Sequence, residues 1–296
     1  MQLRCLHRDD RDRVLQIWNA AAPYDRMTDA LLEEKIWRDV DADPELALVA
    51  ASAGAVLGFG VGVLRKAHGA SRGYLKLLAV AEDQRRQGVG TALLEALEAG
   101  LAARGATSVR VYESAPNYLV PGIDARYREA HAFAGARGYR VVGDAQNLEV
   151  DLAAPVAAGS APVAVEIRRA KPADETRLRA LLDAEWPSWA AEAGAALANS
   201  PPTLFIARRE GRVVGFAAWD ANNRGTGWFG PMGVAPDERG RGIGRALLHS
   251  CLDDMRRQGH DAAVIAWADN EAFYARCAGA RRTRTFIRYE KTLHAD

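Results

Sequence analysis

Two short segments of this chain place arginines, glycines and the start of an amphipathic run at matching spacing. They read VAEDQRRQGVGTALL at 80–94 and VAPDERGRGIGRALL at 234–248. Glycines remove side chains where an apolar strand turns into a helix, so a ligand can approach the bare backbone. The first N–H groups of a helix have no internal partner, and the helix dipole makes that end positive. With arginines beside it, each segment predicts an anion site that suits a pyrophosphate.

The anion site of each copy is expected to use the backbone and side chains around its glycines. The candidates in the second copy are Arg239, Gly240, Arg241, Gly242, Ile243, Gly244 and Arg245. Those in the first copy are Arg85, Arg86, Gln87, Gly88, Val89, Gly90 and Thr91. No Gly-Lys-Ser/Thr sequence follows either segment, which excludes a P-loop.

A dinucleotide site stays open as an alternative reading of the same segments. A Rossmann turn needs a third glycine, and Leu93 and Leu247 stand in its place. However, Glu113 and Asp269 lie near the usual position of an acid that binds a ribose. The polar residues between the strand and the glycines argue against this alternative.

The whole chain is repeated around the two segments. Gly88 and Gly242 are 154 positions apart, and Val80 and Val234 keep the same offset. Each copy opens with a short strand and an amphipathic helix, and a turn with a Gly-Phe strand precedes each Gly motif. This order predicts an α/β (α+β) fold of two tandem domains, each a mixed, mostly antiparallel sheet flanked by helices. We expect domains at 1–152 and 165–296, joined by an Ala/Pro/Gly/Ser-rich linker at 153–164.

The composition limits the partners that this chain can have. Lys and Arg number 39 and Asp and Glu 38, so the net charge of +1 is too small to attract nucleic acid or an acidic membrane. The first residues carry charges where a signal peptide needs an apolar core, and no apolar run reaches membrane length. The three cysteines are far apart and lack metal-ligand spacing. We therefore expect a cytoplasmic protein with reduced thiols and no metal site.

The segment GPMGVAPDERGRGIG resembles motif A of the GNAT superfamily of acyl-CoA N-acyltransferases, in which Q/R-x-x-G-x-G/A follows a strand. Both copies match this motif, and the element order of that family covers nearly all of the chain outside the linker. The resemblance implies that acetyl-CoA (coenzyme A) is the cofactor and that the Gly-rich turns hold its pyrophosphate. It also implies that the preceding strand pairs with pantetheine, through Met232, Gly233 and Val234 in copy two and Leu78, Ala79 and Val80 in copy one.

The resemblance assigns the chemistry to the second copy. Family members often donate a proton to the departing thiolate from a tyrosine that follows an asparagine and precedes a glycine, and Asn270, Tyr274 and Gly279 fit this pattern. Tyr274 lies five residues before the glycine, whereas four is the more common spacing. Aligning Gly138 with Gly279 puts Phe133 opposite Tyr274, whereas the more common spacing of four before Gly138 points to Ala134. Neither residue can donate a proton, which predicts a first domain that binds acyl-CoA without catalysis. A packing role for Tyr274 is the alternative.

The acceptor is less well defined by the sequence. The chain resembles tandem members of the family that include glucosaminide acetyltransferases and mycothiol synthase, which implies a small primary amine, such as that of an amino sugar, as substrate. We also expect a monomer or a homodimer. Peptide N-termini and aminoglycosides remain alternatives. Asp220, Glu185 and Glu192 are candidate general bases, each also readable as a surface acid.

Two features of the sequence have both a structural and a functional interpretation. Trp186, Trp189, Trp219 and Trp228 predict core packing or, less simply, an aromatic floor for a ring-bearing amine. The stretch 113–127 predicts an ordered loop that caps the sheet, or a loop that brings Tyr118 and Asp124 to a ligand. Two other functions stay open for the chain, namely a non-catalytic acyl-CoA sensor and a dinucleotide-dependent oxidoreductase.

Overall fold

The computed structural model describes residues 1–67, 70–153 and 164–293. They form two compact units, of which unit 1 comprises Met1–Ala145 with Phe286–Asp296 and unit 2 comprises Gln146–Thr285. These units differ from the domains expected at 1–152 and 165–296, because two long strands are each divided between the units. Of the expected linker at 153–164, residues 154–163 lie outside the described residues.

Unit 1 is a mixed sheet with helices on it. Its strands are β1 (Gln2–Cys5), β2 (Ala47–Ser52), β3 (Ala55–Ala67), β4 (Ala70–Val80), β5 (Ser108–Val111), β6 (Ile123–Asp124) and the first part of β7 (Arg140–Asp151). Its helices are α1 (Arg11–Ala21), α2 (Asp29–Ile36), α3 (Val89–Ala103) and α4 (Arg128–Ala136). The strands from β1 to β4 pair antiparallel in chain order, and β4 then pairs parallel with β5.

Unit 2 repeats this order. Its strands are β8 (Glu166–Arg169), β9 (Leu204–Arg209), β10 (Arg212–Trp219), β11 (Trp228–Val234), β12 (Ala262–Ile265) and the first part of β13 (Arg281–Thr292). Its helices are α5 (Glu175–Glu185), α6 (Ala190–Leu197), α7 (Ile243–Arg257) and α8 (Glu271–Ala278). The strands from β8 to β11 pair antiparallel, and β11 pairs parallel with β12. The predicted fold class is confirmed in both copies.

Each sheet includes a strand whose pairing partner is more than 100 residues away in the sequence. Residues 148–151 of β7 pair antiparallel with β12 in unit 2, from Leu148↔Ile265 to Asp151↔Ala262. Residues 290–292 of β13 pair antiparallel with β5 in unit 1, from Glu290↔Arg110 to Thr292↔Ser108. The boundary of each unit therefore falls inside a strand, where neither composition nor turn residues mark it.

The two faces of the unit 2 sheet follow from the alternation of side chains along β10. Val214, Ala217 and Trp219 join the core under α7, whereas Val213, Phe216 and Ala218 join the core under α5 and α6. Successive residues of a strand point to opposite faces, apart from the register shifts that this strand contains. The helices α7 and α5–α6 consequently cover opposite faces of β10 and of its neighbour β11.

The duplication extends to side-chain contacts. Arg4 binds Asp10 through two hydrogen bonds of 2.7 Å, and Arg168 binds Asp174 through hydrogen bonds of 2.7 and 2.8 Å. In both copies the same carboxylate also accepts a backbone N–H three residues earlier, at 2.9 Å from His7 and 2.8 Å from Lys171. The hydrogen bond from Arg168 lowers the pKa of Asp174 to about 2.

No helix within the described ranges combines the length and apolar composition that a membrane crossing requires. Within the same ranges, no three His, Cys, Asp or Glu side chains are grouped so that they could hold a metal ion.

Deleting residues 286–296 is expected to loosen unit 1 rather than unit 2, because β5 would lose its antiparallel neighbour and unit 1 would lose the fully buried side chain of Phe286. Hydrogen exchange of the β5 amides at 108–111 should then speed up by at least about tenfold, which is a change of roughly 1.4 kcal/mol in opening free energy. The β12 amides at 262–265 serve as the internal control. A chain that ends at residue 293 should behave like the full chain. Unchanged exchange in β5 would mean that β13 does not support unit 1.

Candidate active site

Strands β11 and β12 of unit 2 separate after two residues of pairing. They pair at Trp228↔Val264 and Phe229↔Ile265, and no further pair is recorded between them in the described chain. On its other side β11 continues against β10 as far as Gly215↔Val234. The stretch 230–234 therefore has one edge without a partner strand, which we call the unit 2 gap.

Unit 1 has the same gap at the equivalent place. Strands β4 and β5 pair from Gly73↔Val109 to Leu75↔Val111, and β4 continues alone beside β3 to Gly58↔Val80. Leu75 and Phe229 are 154 positions apart, so both gaps begin at the same point of the repeat. The predicted pantetheine-binding residues Leu78, Ala79 and Val80 lie on the open edge in unit 1, as Met232, Gly233 and Val234 do in unit 2.

The Gly-rich turn of unit 2 follows the gap directly. Gly240 and Gly242 adopt φ values of +76° and +80°, and Gly242 is the N-cap of α7. A Cβ added to either glycine would meet no described heavy atom within 4 Å outside its own turn. Ile243 is buried and fixes the first turn of α7 to the core. The structure thus holds bare backbone and a helix N-terminus open to solvent, which fits a pyrophosphate.

The Gly-rich turn of unit 1 has the same backbone with one different residue. Gly88 is the N-cap of α3 with φ +85°, and a Cβ there would also meet no described atom within 4 Å. Arg86 stands at the position of Gly240 and adopts a left-handed φ of +62°. Val89 is buried like Ile243. A left-handed φ is sterically unfavourable for arginine. Both copies nevertheless share the conformation of this turn, although only unit 2 has a glycine at the position.

Two of the arginines predicted at the anion sites donate hydrogen bonds to the protein's own backbone. Arg239 Nε donates to the carbonyl of Val234 at 3.1 Å, and Arg85 Nε donates to that of Val80 at 3.3 Å. These two side chains tie the turn to the end of the preceding strand in both copies. Arg241 lies 3.4 Å from Glu238. Three of the remaining candidate residues are exposed, namely Arg86, Gln87 and Arg245, and three are half-buried, namely Gly90, Thr91 and Gly244.

Tyr274 lies at the start of the unit 2 gap. Its ring meets that of Phe229, the last residue paired with β12, at 6.3 Å between centroids and an angle of 78°. Burial raises the pKa of Tyr274 to about 12, and the nearby charge of Asp269 acts in the same direction. The phenol therefore stays protonated at neutral pH. Asn270 is the N-cap of α8, and its side chain accepts the N–H of Phe273 at 3.0 Å, so its role in the structure is to start the helix that carries Tyr274.

The alignment that puts Phe133 opposite Tyr274 is wrong. Phe133 lies 3.6 Å from a Cβ added to Gly90, just as Phe273 lies 3.5 Å from one added to Gly244. The equivalent of Tyr274 is therefore Ala134, which is buried.

The reason for the offset is one extra residue at the end of α8. The carbonyl of Ala134 accepts the N–H five residues later, from Tyr139, whereas that of Tyr274 accepts the N–H six residues later, from Ala280. This extra residue accounts for the unusual spacing of five between Tyr274 and Gly279. Neither alanine nor phenylalanine can donate a proton, so the expectation for unit 1 is unchanged.

The opposite face of β11 carries an aromatic cluster. Trp186 and Trp189 stack at 5.4 Å and 20°, and both meet Phe216 edge-on. A Cβ at Gly233 would come within 2.7 Å of the Trp186 ring, so only glycine allows this tryptophan to lie on the strand. Both tryptophans are half-buried. Trp219 and Trp228 are buried, and Trp219 donates to Asp254 at 3.0 Å, which fits core packing.

The three candidate bases occupy different surroundings. Glu185 is exposed at the end of α5. Glu192 is buried on α6, with the amide of Asn222 3.4 Å away. Asp220 accepts the N–H of Gly225 at 3.2 Å and so shapes the turn between β10 and β11. The geometry singles out none of them as a base.

Unit 1 contains a buried ionic cluster that the sequence analysis missed. Asp39, just after α2, accepts two hydrogen bonds from Arg65 at 2.6 and 2.7 Å and a further one from Lys76. Arg65 also donates to the carbonyls of Ser114 and Ala115 at 3.0 Å. The detectable signal was a single lysine within the otherwise apolar run YLKLLAV at 74–80.

The stretch 113–127 is an ordered part of unit 1. Tyr118 and Asp124 are buried, and Asp124 binds Arg126 at 2.7 Å. This supports the capping interpretation over the ligand-binding one. Glu113 is buried between Arg110 and Arg288 at 2.5 Å from each, so it does not reach a ribose.

Comparisons with known proteins agree with this geometry. The family described as "Acetyltransferase (GNAT) family" matches residues 11–118 and 167–280. A mycothiol acetyltransferase from Thermobispora bispora is 37% identical over 71 residues, which are 22% of this chain and 24% of that protein.

Two solved structures share the fold of nearly the whole chain. The GCN5-related glucosamine N-acetyltransferase region of a fungal multi-domain β-N-acetylglucosaminidase has a TM-score of 0.83 at 22% identity, covering 98% of this chain and 38% of that one. A tandem GNAT protein from the clavulanic acid biosynthesis pathway has a TM-score of 0.72 at 18% identity, covering 100% and 99%. This chain thus spans about a quarter of the curated relative and well under half of the fungal protein.

Proposed function

Because this chain belongs to the acetyltransferase (GNAT) family, whose members are acyl-CoA-dependent N-acyltransferases, we propose that unit 2 transfers acetyl from acetyl-CoA directly to a primary amine of a small molecule. Unit 1 binds acyl-CoA without transfer to amines in solution. The observation that carries the proposal is the contact of Tyr274, on α8, with Phe229 at the start of the unit 2 gap, since Phe229 lies on the strand β11 that leads into an open Gly-rich turn.

The residues of unit 2 divide the chemistry between them. The N–H groups at 240–244 and the positive end of α7 bind the pyrophosphate of acetyl-CoA. The open edge of Met232, Gly233 and Val234 orients the pantetheine and polarises the thioester carbonyl, which favours the charge that develops on its oxygen. Tyr274 donates its proton to the departing thiolate. Each of these three roles belongs to one segment of the repeat, and unit 1 lacks only the proton donor.

The acceptor class that we propose is an amino sugar. Two features support it, namely the stacked pair of Trp186 and Trp189 on the α5–α6 face of β11, and the fold shared with a region named as a glucosamine N-acetyltransferase. Half-buried aromatic faces pack well against the apolar face of a sugar ring. The candidates to accept the proton of the amine remain Asp220, Glu185 and Glu192.

The experiment that tests the proposal uses the full chain, since the sheet of unit 1 includes residues 290–292 and that of unit 2 includes residues 148–151. Thiol release from acetyl-CoA is followed with glucosamine, an aminoglycoside, a peptide with an unblocked N-terminus and a simple alkylamine. We expect turnover with at least one of these amines and the highest kcat/KM with glucosamine. Binding of acetyl-CoA in calorimetry without turnover on any amine would favour the acyl-CoA sensor instead. A preference for the peptide would overturn the proposed acceptor class.

A further inference from the structure

The residue that begins the gap differs between the two units. In unit 2 it is Gly230, a half-buried residue at which a Cβ would meet no described heavy atom within 4 Å. In unit 1 the equivalent residue, 154 positions earlier, is Lys76, whose side chain is only 1% exposed. Unit 2 thus leaves open space at the start of its gap, whereas unit 1 has the side chain of Lys76 at the equivalent position.

The side chain of Lys76 points to the face of the unit 1 sheet opposite α3. Its neighbour Leu75 belongs to the core that includes Leu97 and Leu101 of α3. Lys76 itself contacts Asp39, at the end of α2, on the opposite face. The corresponding face of unit 2 is covered by α5 and α6 and carries the stacked tryptophans.

We propose that Lys76 is the acetyl acceptor of unit 1: its Nζ attacks the acetyl group of an acetyl-CoA bound at the Gly-rich turn of unit 1, so that the chain acetylates itself once. The inference rests on the binding of acyl-CoA by unit 1 and is independent of catalysis in unit 2. Burial excludes an external amine from the position that Lys76 holds, so this lysine has no competitor there.

The surroundings of Lys76 favour the neutral amine that such an attack requires. Asp39 is shared between two cations, and Arg65 already binds it through both nitrogens of its fork. Burial lowers the pKa of Lys76 to about 7; Asp39 opposes this shift, whereas the charges of Lys35 and Arg65 add to it. When Lys76 loses its charge, Asp39 keeps Arg65 as its partner and is not left as an unpaired buried charge.

The transfer is balanced by the groups named. A bond forms between Nζ and the carbonyl carbon of the acetyl group, and the bond between that carbon and sulfur breaks. The amine loses one proton, which passes to the thiolate, so the products are Nε-acetyl-lysine and coenzyme A with its thiol. Ala134 stands where unit 2 has Tyr274, so no side chain at that position assists the departing thiolate. The reaction is therefore slow, and one turnover completes it.

The test is peptide mass mapping of the full chain after incubation with isotopically labelled acetyl-CoA and no added amine. We expect label at Lys76 to exceed label at the exposed residues Lys66 and Lys171, which report chemical acetylation in solution. Lys35 is also buried but lies on α2, where it binds Glu34 and Asn117 at 2.7 Å, so it controls for burial alone and should stay unlabelled.

Two interventions link the label to the Gly-rich turn of unit 1. Gly88→Val should lower labelling of Lys76 by about tenfold or more relative to Gly105→Val, because both glycines have the same left-handed φ, +85° and +87°, but only Gly88 lies at the N-terminus of α3. Excess coenzyme A should slow labelling of Lys76 and leave Lys66 unaffected, which covers the case that Gly88→Val does not fold.

The outcomes separate this inference from the proposed function. Tyr274→Phe and Gly242→Val, both in unit 2, should leave the labelling of Lys76 unchanged while they impair transfer to amines in solution. Lys76 that stays unlabelled, or that is labelled no faster than Lys66, overturns the inference. The inference is also overturned if neither Gly88→Val nor excess coenzyme A changes the labelling of Lys76.

Discussion

Tyr274→Phe is expected to lower the turnover number for acetyl transfer by about ten- to a thousandfold, with little change in the affinity for acetyl-CoA. The substitution keeps the ring that packs on Phe229 and Phe273 and removes only the hydroxyl. Packing at the start of the gap is therefore preserved, and the variant isolates proton donation to the thiolate. Steady-state kinetics with the best acceptor from the amine panel, together with calorimetric titration of acetyl-CoA, measures both quantities.

The raised pKa of Tyr274 adds a pH signature to this prediction. A phenol with a pKa of about 12 keeps its proton throughout the range in which an acetyl transfer assay can be run. Raising the pH from about 7 to about 10 deprotonates the acceptor amine, which is the nucleophilic form, and leaves Tyr274 intact. We therefore expect kcat/KM to rise or level off over that range in the wild type. The Phe variant should show the same profile at a lower level.

Tyr289→Phe is the matched control, because it removes a buried hydroxyl from unit 1, where Tyr289 contacts His131 at 3.0 Å. It should leave turnover unchanged. If Tyr274→Phe and Tyr289→Phe have equal turnover, Tyr274 is a packing residue and the proton reaches the thiolate from elsewhere. A loss of activity above pH 9 in the wild type alone would point to a tyrosine with a much lower pKa than burial gives it.

The parts of the fold that depend on local sequence were predicted well. Helix α7 and its glycine N-cap follow from the spacing of apolar residues and from Gly242, which need only the neighbouring turns. Because the sequence is repeated, the same elements could also be predicted for unit 1. The gap beside β11 could not be read from the sequence, because it depends on where β12, more than thirty residues later, stops pairing.

The exchange of β7 and β13 between the units was missed for a physical reason. Their sequences identify them as strands, but the choice of partner is made by contacts distant in sequence, Arg110 with Glu290 and Val264 with Glu149 among them. The choice between Phe133 and Ala134 as the equivalent of Tyr274 stayed open in the sequence for a related reason. One extra residue at the end of α8 shifts the alignment, and only the contacts of Phe133 and Phe273 with the Gly-rich turns reveal the shift.

Gly242→Val is expected to weaken acetyl-CoA binding to unit 2 by about tenfold or more, equivalent to roughly 1.4 kcal/mol. A valine at this position places its methyl groups in the open space in front of the first N–H groups of α7, where a pyrophosphate would lie. It also adopts φ +80°, a conformation that costs an L-residue about 1–2 kcal/mol of folding stability. The loss of binding has to be separated from this loss of stability.

Gly259→Val separates the two effects within the same helix. Gly259 follows the C-terminus of α7 with φ +90°, and a Cβ there would likewise meet no described atom within 4 Å. Both variants should lose similar unfolding free energy in urea, but only Gly242→Val removes access to the helix N-terminus. Titration in a Gly88→Val background confines the measurement to unit 2. If Gly242→Val and Gly259→Val bind acetyl-CoA equally well, the N-terminus of α7 does not hold the pyrophosphate, and the anion site must be sought among the exposed arginines instead.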